Sequence, residues 1–238
     1  MTKEEFIINC KNLSIEITEE IYSKLYKYFE LLVEWNNRFN MTSILEEKEV
    51  FLLHFYDSLC LNKINLNEIN SLCDFGTGAG FPGMVIALVY PNIEVTLVES
   101  NNKKCTFLEE VKQQLNIKNV SIFNERIEDF ARKNREKYDV VTCRAVTSIP
   151  IIIELSTSLI KVNGLLAPLK SNCEEEINKY KYLEKEFNLK LENLIKYNLP
   201  INDAYRVIPI YKKLKETDIK YPRNYGTIVK NINNRKWG

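Results

Sequence analysis

Ten consecutive residues gather the groups that could hold a ligand: Asp74-Phe75-Gly76-Thr77-Gly78-Ala79-Gly80-Phe81-Pro82-Gly83. Four of the chain's 7 glycines lie here. Glycine lets the backbone turn tightly and approach a ligand with no side chain in between. The stretch follows apolar Leu72-Cys73 and precedes a helix-like run from Met84 to Val89, the strand–loop–helix order of a nucleotide-cofactor site. Glu99 ends the apolar run Val95-Thr96-Leu97-Val98, 19 residues beyond Gly80. A carboxylate there can accept hydrogen bonds from both hydroxyls of an adenosine ribose. Asp74 discriminates between ligands. An acid beside this loop repels a pyrophosphate and attracts the ammonium or sulfonium of S-adenosylmethionine; its other reading is a brace for the loop. Arg126-Ile127-Glu128-Asp129 offers an apolar wall for adenine and, on Glu128 or Asp129, an acceptor for its exocyclic amine. The same turn also reads as an ordinary helix start.

These residues need elements to position them. Residues 18–39 read as a helix, with Ile21, Leu25, Tyr28, Phe29, Leu32, Trp35 and Phe39 repeating every three or four positions and Thr18 as N-cap. A second helix is expected over 46–61, with Val50, Leu53, His54 and Asp57 one turn apart. From residue 70 strands and helices alternate. Strands are expected at 70–75, 93–98, 119–123, 138–143, 164–169, 189–197 and 205–211, and helices at 83–90, 101–115, 127–133, 148–161 and 173–187. Gly164 is read as following a helix end. The pattern predicts an α/β fold, a mostly parallel seven-stranded sheet with helices on both faces and an N-terminal helical extension. The segments are 1–68 (helical extension), 69–215 (cofactor-binding core) and 216–238 (basic C-terminal segment), together one globular unit. The last dozen residues are expected to be poorly ordered.

Composition narrows the class. With 45% hydrophobic and 27% charged residues the chain reads as globular. No apolar run approaches the ~20 residues of a membrane span, and the N-terminus shows no signal-peptide pattern. Six scattered cysteines without a Cys-x-x-Cys pair suit reduced thiols in the cytoplasm and no metal site. Charge is uneven. Residues 1–70 carry seven Lys/Arg against twelve Asp/Glu, net −5, and residues 205–238 carry nine against two, net +7. The basic end reads either as a solvated tail or, with Tyr211, Tyr221, Tyr225 and Trp237 interleaved, as a phosphate-contacting surface.

Taken together, the motifs resemble one family. They are Trp35-Asn36-Asn37-Arg38-Phe39-Asn40-Met41-Thr42-Ser43, His54-Phe55-Tyr56-Asp57-Ser58, the loop Asp74 to Gly83, Val98-Glu99-Ser100 with Lys103-Lys104, Arg126-Ile127-Glu128, Cys143-Arg144-Ala145, Pro168-Leu169-Lys170 and Tyr221-Pro222-Arg223. In this order they resemble the RsmG family (glucose-inhibited division protein B), bacterial 16S rRNA guanine-N7 methyltransferases. The resemblance covers about residues 18–230. It implies a Rossmann-like class I methyltransferase fold, S-adenosylmethionine as cofactor, and cofactor contacts at Gly76, Phe81, Ile127, Glu128 and Arg144, with Gly78 and Glu99 nearby; the loop itself adds Asp74 and Gly80 as cofactor-binding candidates. It also implies a guanine N7 target in the 530 loop of the decoding region, with 16S rRNA or the 30S subunit as partner.

Guanine N7 carries an exposed lone pair on the major-groove edge and needs no deprotonation. That suits a chain with 1 histidine and no evident nucleophile–base pair. Arg144, at the end of the expected fourth strand, is the catalytic candidate in a positioning role; its other reading is a salt bridge at the sheet edge. The segment Val141-Thr142-Cys143-Arg144-Ala145 lacks the Asn/Asp-Pro-Pro-aromatic motif of exocyclic-amine enzymes. Cys143, in a buried-looking strand, is discounted as a nucleophile. Lys170, Arg206 and Arg223 are RNA-contact candidates. His54 either joins Asp57 in a network fixing the front helices to the sheet or borders the RNA entrance. A monomer without an obligatory protein partner is expected. The competing readings are an NAD-linked oxidoreductase, a methyltransferase of small molecules or proteins, and a non-catalytic RNA-binding module.

Overall fold

The computed structural model describes residues 1–234. The chain opens with α1 (Lys3–Asn12), α2 (Glu19–Asn36), α3 (Glu47–Glu49), a π-helix (Val50–Tyr56), α4 (Asp57–Leu59) and 3₁₀ turns at Cys60–Ile64 and Leu66–Glu68. It continues with β1 (Ser71–Phe75), α5 (Gly83–Val89), β2 (Glu94–Glu99), α6 (Asn102–Gln114), β3 (Val120–Asn124), α7 (Ile127–Lys133), β4 (Tyr138–Thr142) and α8 (Ile149–Ser156). It ends with β5 (Ile160–Leu166), α9 (Glu174–Lys179), α10 (Leu183–Glu186), β6 (Leu189–Asn198), β7 (Tyr205–Lys213) and α11 (Tyr225–Asn234).

The seven strands form one sheet in the order β3-β2-β1-β4-β5-β7-β6. β1 to β5 are parallel, and β7 runs antiparallel to β5 and β6. Successive residues serve opposite faces. Leu72 and Val140 pack with Leu25, Tyr28, Phe55 and Phe107 on one side, and Cys73, Phe75, Val141 and Cys143 pack with Ile152, Phe187 and Tyr221 on the other. Burial on both faces explains the nearly continuous apolar strands. The chain leaves β1 toward β2 on one side and β4 on the other, so a crevice opens at their carboxyl ends, where open α/β sheets bind ligands.

Several expected elements change. Helix α1 was not anticipated, although Thr2 and Glu5 close a reciprocal capping box that the sequence displays. The helix expected over 46–61 changes winding three times, with its middle, Val50–Tyr56, a π-helix. The expected helix 148–161 stops at Ser156, and β5 starts at Ile160. Lys137 N–H donates to Leu159 O, drawing the chain into the sheet early. Gly164 therefore sits inside a strand, where a Cβ would press on Asp139 O at 2.8 Å. The expected helix 173–187 splits into α9 and α10, whose Glu176 and Glu184 accept from Ile149 N–H and Leu191 N–H.

The basic C-terminal segment is not a loose tail as far as residue 234. Residues 225–234 form α11, with Ile228 fully buried. Arg135 and Arg132 hold the approach through Tyr221 O (2.6 Å) and Asn224 Oδ1 (2.7 Å). Arg235, Lys236 and Trp237 lie outside the described residues. Among the described residues no helix is long and apolar enough to cross a membrane.

Candidate active site

The glycine loop leaves β1 and enters α5 under two constraints. Gly76 has φ +62°, and a Cβ there would stand 2.8 Å from Val146 Cγ2. Gly80 has φ +100° and backs against the Tyr28 hydroxyl, with Met84 Cβ 2.8 Å from the place a Cβ would take. Asp74 lies beneath the loop, fully buried. Its Oδ2 accepts from Thr77 Oγ1 at 2.6 Å and from Gly83 N–H at 2.8 Å, tying the two ends of the loop together. Burial raises its pKa to about 7. Glu99, at the end of β2, fixes the far side, with Oε2 accepting from Gly78 N–H at 3.0 Å and Oε1 from Asn101 N–H at 2.8 Å.

Beside the loop opens a cavity of about 270 Å³ walled by Gly76, Val98, Glu99, Ile127 and Val146. Next to Ile127, the buried Glu128 holds Arg126 Nε with Oε1 at 3.4 Å, and its Oε2 has no partner among the described residues. An adenosine needs acceptors for two ribose hydroxyls, apolar walls for its ring and an acceptor for its amine. Glu99, the Val98–Ile127–Val146 walls and the unpartnered Glu128 oxygen fit those needs.

A second cavity, of about 340 Å³, is lined by Leu53, His54, Asp57, Arg144, Lys170 and Arg206 among others. The turn Arg144-Ala145-Val146 borders both, giving Val146 to the first and Arg144 and Ala145 to the second. Ala145 holds φ +55°, an uncommon conformation for a residue with a Cβ. Arg144 donates to Leu53 O at 2.7 Å and Asp57 Oδ2 at 3.3 Å, and meets His54 Nδ1 at 3.0 Å. A guanidinium can only donate, so Nδ1 is the acceptor and the imidazole proton sits on Nε2, facing Thr42 Oγ1 at 3.0 Å. Burial, then the Arg144 charge, lowers the His54 pKa to about 3, so the ring is neutral at neutral pH. His54 stacks on Phe81 with centroids 4.4 Å apart, and Phe81 stacks in turn on Tyr28. Arg206 Nε lies 3.2 Å from both Asp57 oxygens. Backbone pairing between Lys170 and Val207 sets Lys170 beside Arg206, with its Nζ donating to Thr147 O at 2.9 Å. Three cations and one carboxylate thus line a half-apolar hollow.

Residues 21–202 match the family model of GidB, rRNA small subunit methyltransferase G. The chain belongs to this family. Ribosomal RNA small subunit methyltransferase G of Bacillus subtilis is 40% identical over 231 residues, covering 95% of this chain and 97% of that protein. Its namesake from Listeria monocytogenes is 36% identical with the same coverage. Among solved structures, the YcgJ protein of Bacillus subtilis matches with TM-score 0.54 at 11% identity, covering 68% of this chain and 100% of that one. M. jannaschii TYW2 in complex with AdoMet matches with TM-score 0.53 at 15% identity, covering 66% and 77%. At such identities the likeness shows the fold alone, a mostly parallel α/β sheet. This methyltransferase G family member is an S-adenosylmethionine-dependent rRNA methyltransferase with a Rossmann-like α/β fold.

In this family member the sequence-predicted residues fall into groups. Gly76, Glu99 and Ile127 share the first cavity, with Gly78, Gly80 and Glu128 in or beside the elements that shape it. His54, Arg144, Lys170 and Arg206 share the second. Three others stand elsewhere. Asp74, expected to face the ligand's positive charge, lines neither cavity and acts as the loop brace. Phe81, expected against the cofactor, is buried between His54 and Tyr28. Arg223, expected on RNA phosphate, makes a two-pronged bond to the fully buried Glu154, at 2.8 Å through each of Nε and Nη2. Cys143 is buried in the core, and burial pushes its thiol well above the ordinary range. Asp57 joins the front helices to the sheet, one of the two readings of the His54–Asp57 spacing. Two features escaped the sequence: Val146 closes the Gly76 cradle, and the Asp57 carboxylate bridges Arg144 and Arg206.

Proposed function

We propose that the protein methylates N7 of a guanine in the 530 loop of 16S rRNA, acting as a cytoplasmic monomer on the small ribosomal subunit or its RNA. The observation that carries this reading is the second cavity, lined by Arg144, Lys170 and Arg206 and free of an available base, sharing the Arg144-Ala145-Val146 turn with the cavity beside the glycine loop. S-adenosylmethionine supplies the electrophilic methyl group when bound. Glu99 and the Val98–Ile127 walls hold the adenosine side, and the braced glycine loop fixes its position. Gly76, Gly78 and Gly80 keep the loop's backbone close and open.

The acceptor side contains no group suited to removing a proton. The His54 ring has both nitrogens engaged and a pKa of about 3, and Asp57 is taken up by two arginines. Guanine N7 needs no base, so alignment and exclusion of water suffice. Arg144, fixed by Leu53 O, Asp57 and His54, positions the base, and Lys170 and Arg206 meet its phosphates or O6. Residues 1–68 wall the acceptor side, 69–215 hold the cofactor, and 216–234 brace the far face. The protein incubated with labelled S-adenosylmethionine and 16S rRNA or 30S particles is expected to label the RNA. Binding of NAD without S-adenosylmethionine, and unlabelled RNA, would contradict the proposal.

A further inference from the structure

A groove separate from both cavities lies between the loop after α2 and the start of α6. It is lined by Arg38, Phe39, Asn40 and Met41 on one side and Asn101, Lys103 and Lys104 on the other. No carboxylate lines it. That is notable in a front end where residues 1–70 carry twelve acids against seven bases. Arg38 reaches Glu34 only at 3.8 Å, with both side chains mostly exposed, a pairing of little strength. Lys103 and Lys104 have no carboxylate partner among the described residues. Lys103 Nζ stands 4.7 Å from the centre of the Phe39 ring, so charge and aromatic face are presented together.

The loop that forms this groove also reaches the acceptor cavity. Asn36 Oδ1 accepts from Met41 N–H at 2.7 Å and Thr42 N–H at 3.0 Å, which fixes its shape. Thr42 then meets His54, and Ile44 lines the acceptor cavity itself. One short, fastened loop therefore has an acid-free cationic groove on one side and the acceptor cavity on the other, and Lys170 and Arg206 line that cavity too.

We infer that this groove binds the phosphate backbone of the substrate RNA strand on one side of the target nucleotide, with Arg38 and Lys103 on phosphates. This rests on rRNA being the substrate, and it names a surface that the acceptor cavity does not include.

The test is binding of 16S rRNA by the full chain from about 50 to 200 mM salt. In Arg38→Ala/Lys103→Ala the log–log salt slope is expected to fall by about 1.4, at ~0.7 per phosphate contact on a single strand. The affinity for S-adenosylmethionine should stay at the wild-type value. A control, Lys11→Ala/Lys118→Ala, removes two exposed cations away from the groove and should keep the wild-type slope. Lys103→Arg should keep it too. An unaltered slope in the Arg38/Lys103 variant, beside wild-type protein that binds, overturns the groove alone, as does an equal fall in the control. Wild-type protein that binds neither 16S rRNA nor 30S particles overturns the rRNA reading and the groove with it.

Discussion

Glu99 and Asp57 are both buried carboxylates, and they differ in how far away their partners lie. Glu99 accepts from Gly78 and Asn101, 21 and two residues away, and its place at a strand end after a glycine loop made it legible from spacing. Asp57 is held by Arg144 and Arg206, 87 and 149 residues on, and no local pattern encodes such a junction. Glu99→Gln replaces a charged acceptor by a neutral one with a single acceptor oxygen. Hydrogen bonds to charged groups contribute about 1.5–3 kcal/mol, so S-adenosylmethionine should bind roughly 10- to 100-fold more weakly by calorimetry. A change under about twofold would remove Glu99 from the cofactor site. His54 gives a pH test. Its folded pKa of about 3 lies below the ordinary 6.5. Between those values the unfolded chain holds a proton that the folded chain refuses, so stability falls as pH falls, by up to about 1.4 kcal/mol per pH unit. Asp74 acts in the opposite direction. Its pKa of about 7 adds stability at low pH that is lost as pH rises toward 7, equally with or without His54. The stability gap between wild type and His54→Asn should therefore narrow as pH drops from 6.5 toward 4 in urea melts. A constant gap would mean the ring is not held neutral.

The glycine loop was readable as an element because its glycines are structural necessities rather than composition. At Gly80 a side chain would require a strained backbone and displace Tyr28 or Met84. Gly80→Ala should therefore cost about 1–3 kcal/mol of stability, read as a lowered denaturation midpoint; an unchanged midpoint would contradict the packing described. The front helix run was less legible. Val50, Leu53, His54 and Asp57 have ordinary helical spacing, and nothing in the residue types announces a π-helix. Only the packed neighbourhood shows it, with all of Val50–Tyr56 except Leu53 buried, as π segments often are beside functional sites. The β5 boundary failed for a related reason: glycine reads as a helix stop, while Gly164 serves the close approach of two strands.

Across the whole molecule, the strand–helix alternation gave the sheet, because strands buried on both faces must be apolar throughout. The uneven charge was a weaker guide. Part of the positive C-terminal end is turned inward: Lys213 is fully buried against Glu136, and Arg223 fastens the C-terminal segment to Glu154 on α8. Arg223→Ala would leave the buried Glu154 without its counter-charge, with only the backbone N–H of residue 223 still donating to it, a loss of about 3–5 kcal/mol, while the salt slope of RNA binding stays as in wild type. A lower slope with unchanged stability would return Arg223 to the RNA surface. The central claim is methyl transfer to guanine N7 at a cavity that supplies alignment and no base. Borohydride–aniline treatment of 16S rRNA labelled by this protein tests it most directly, since that chemistry breaks the chain at N7-methylguanine. One break, within the 530 loop, is the expected result; labelled RNA that stays intact would contradict methylation at N7.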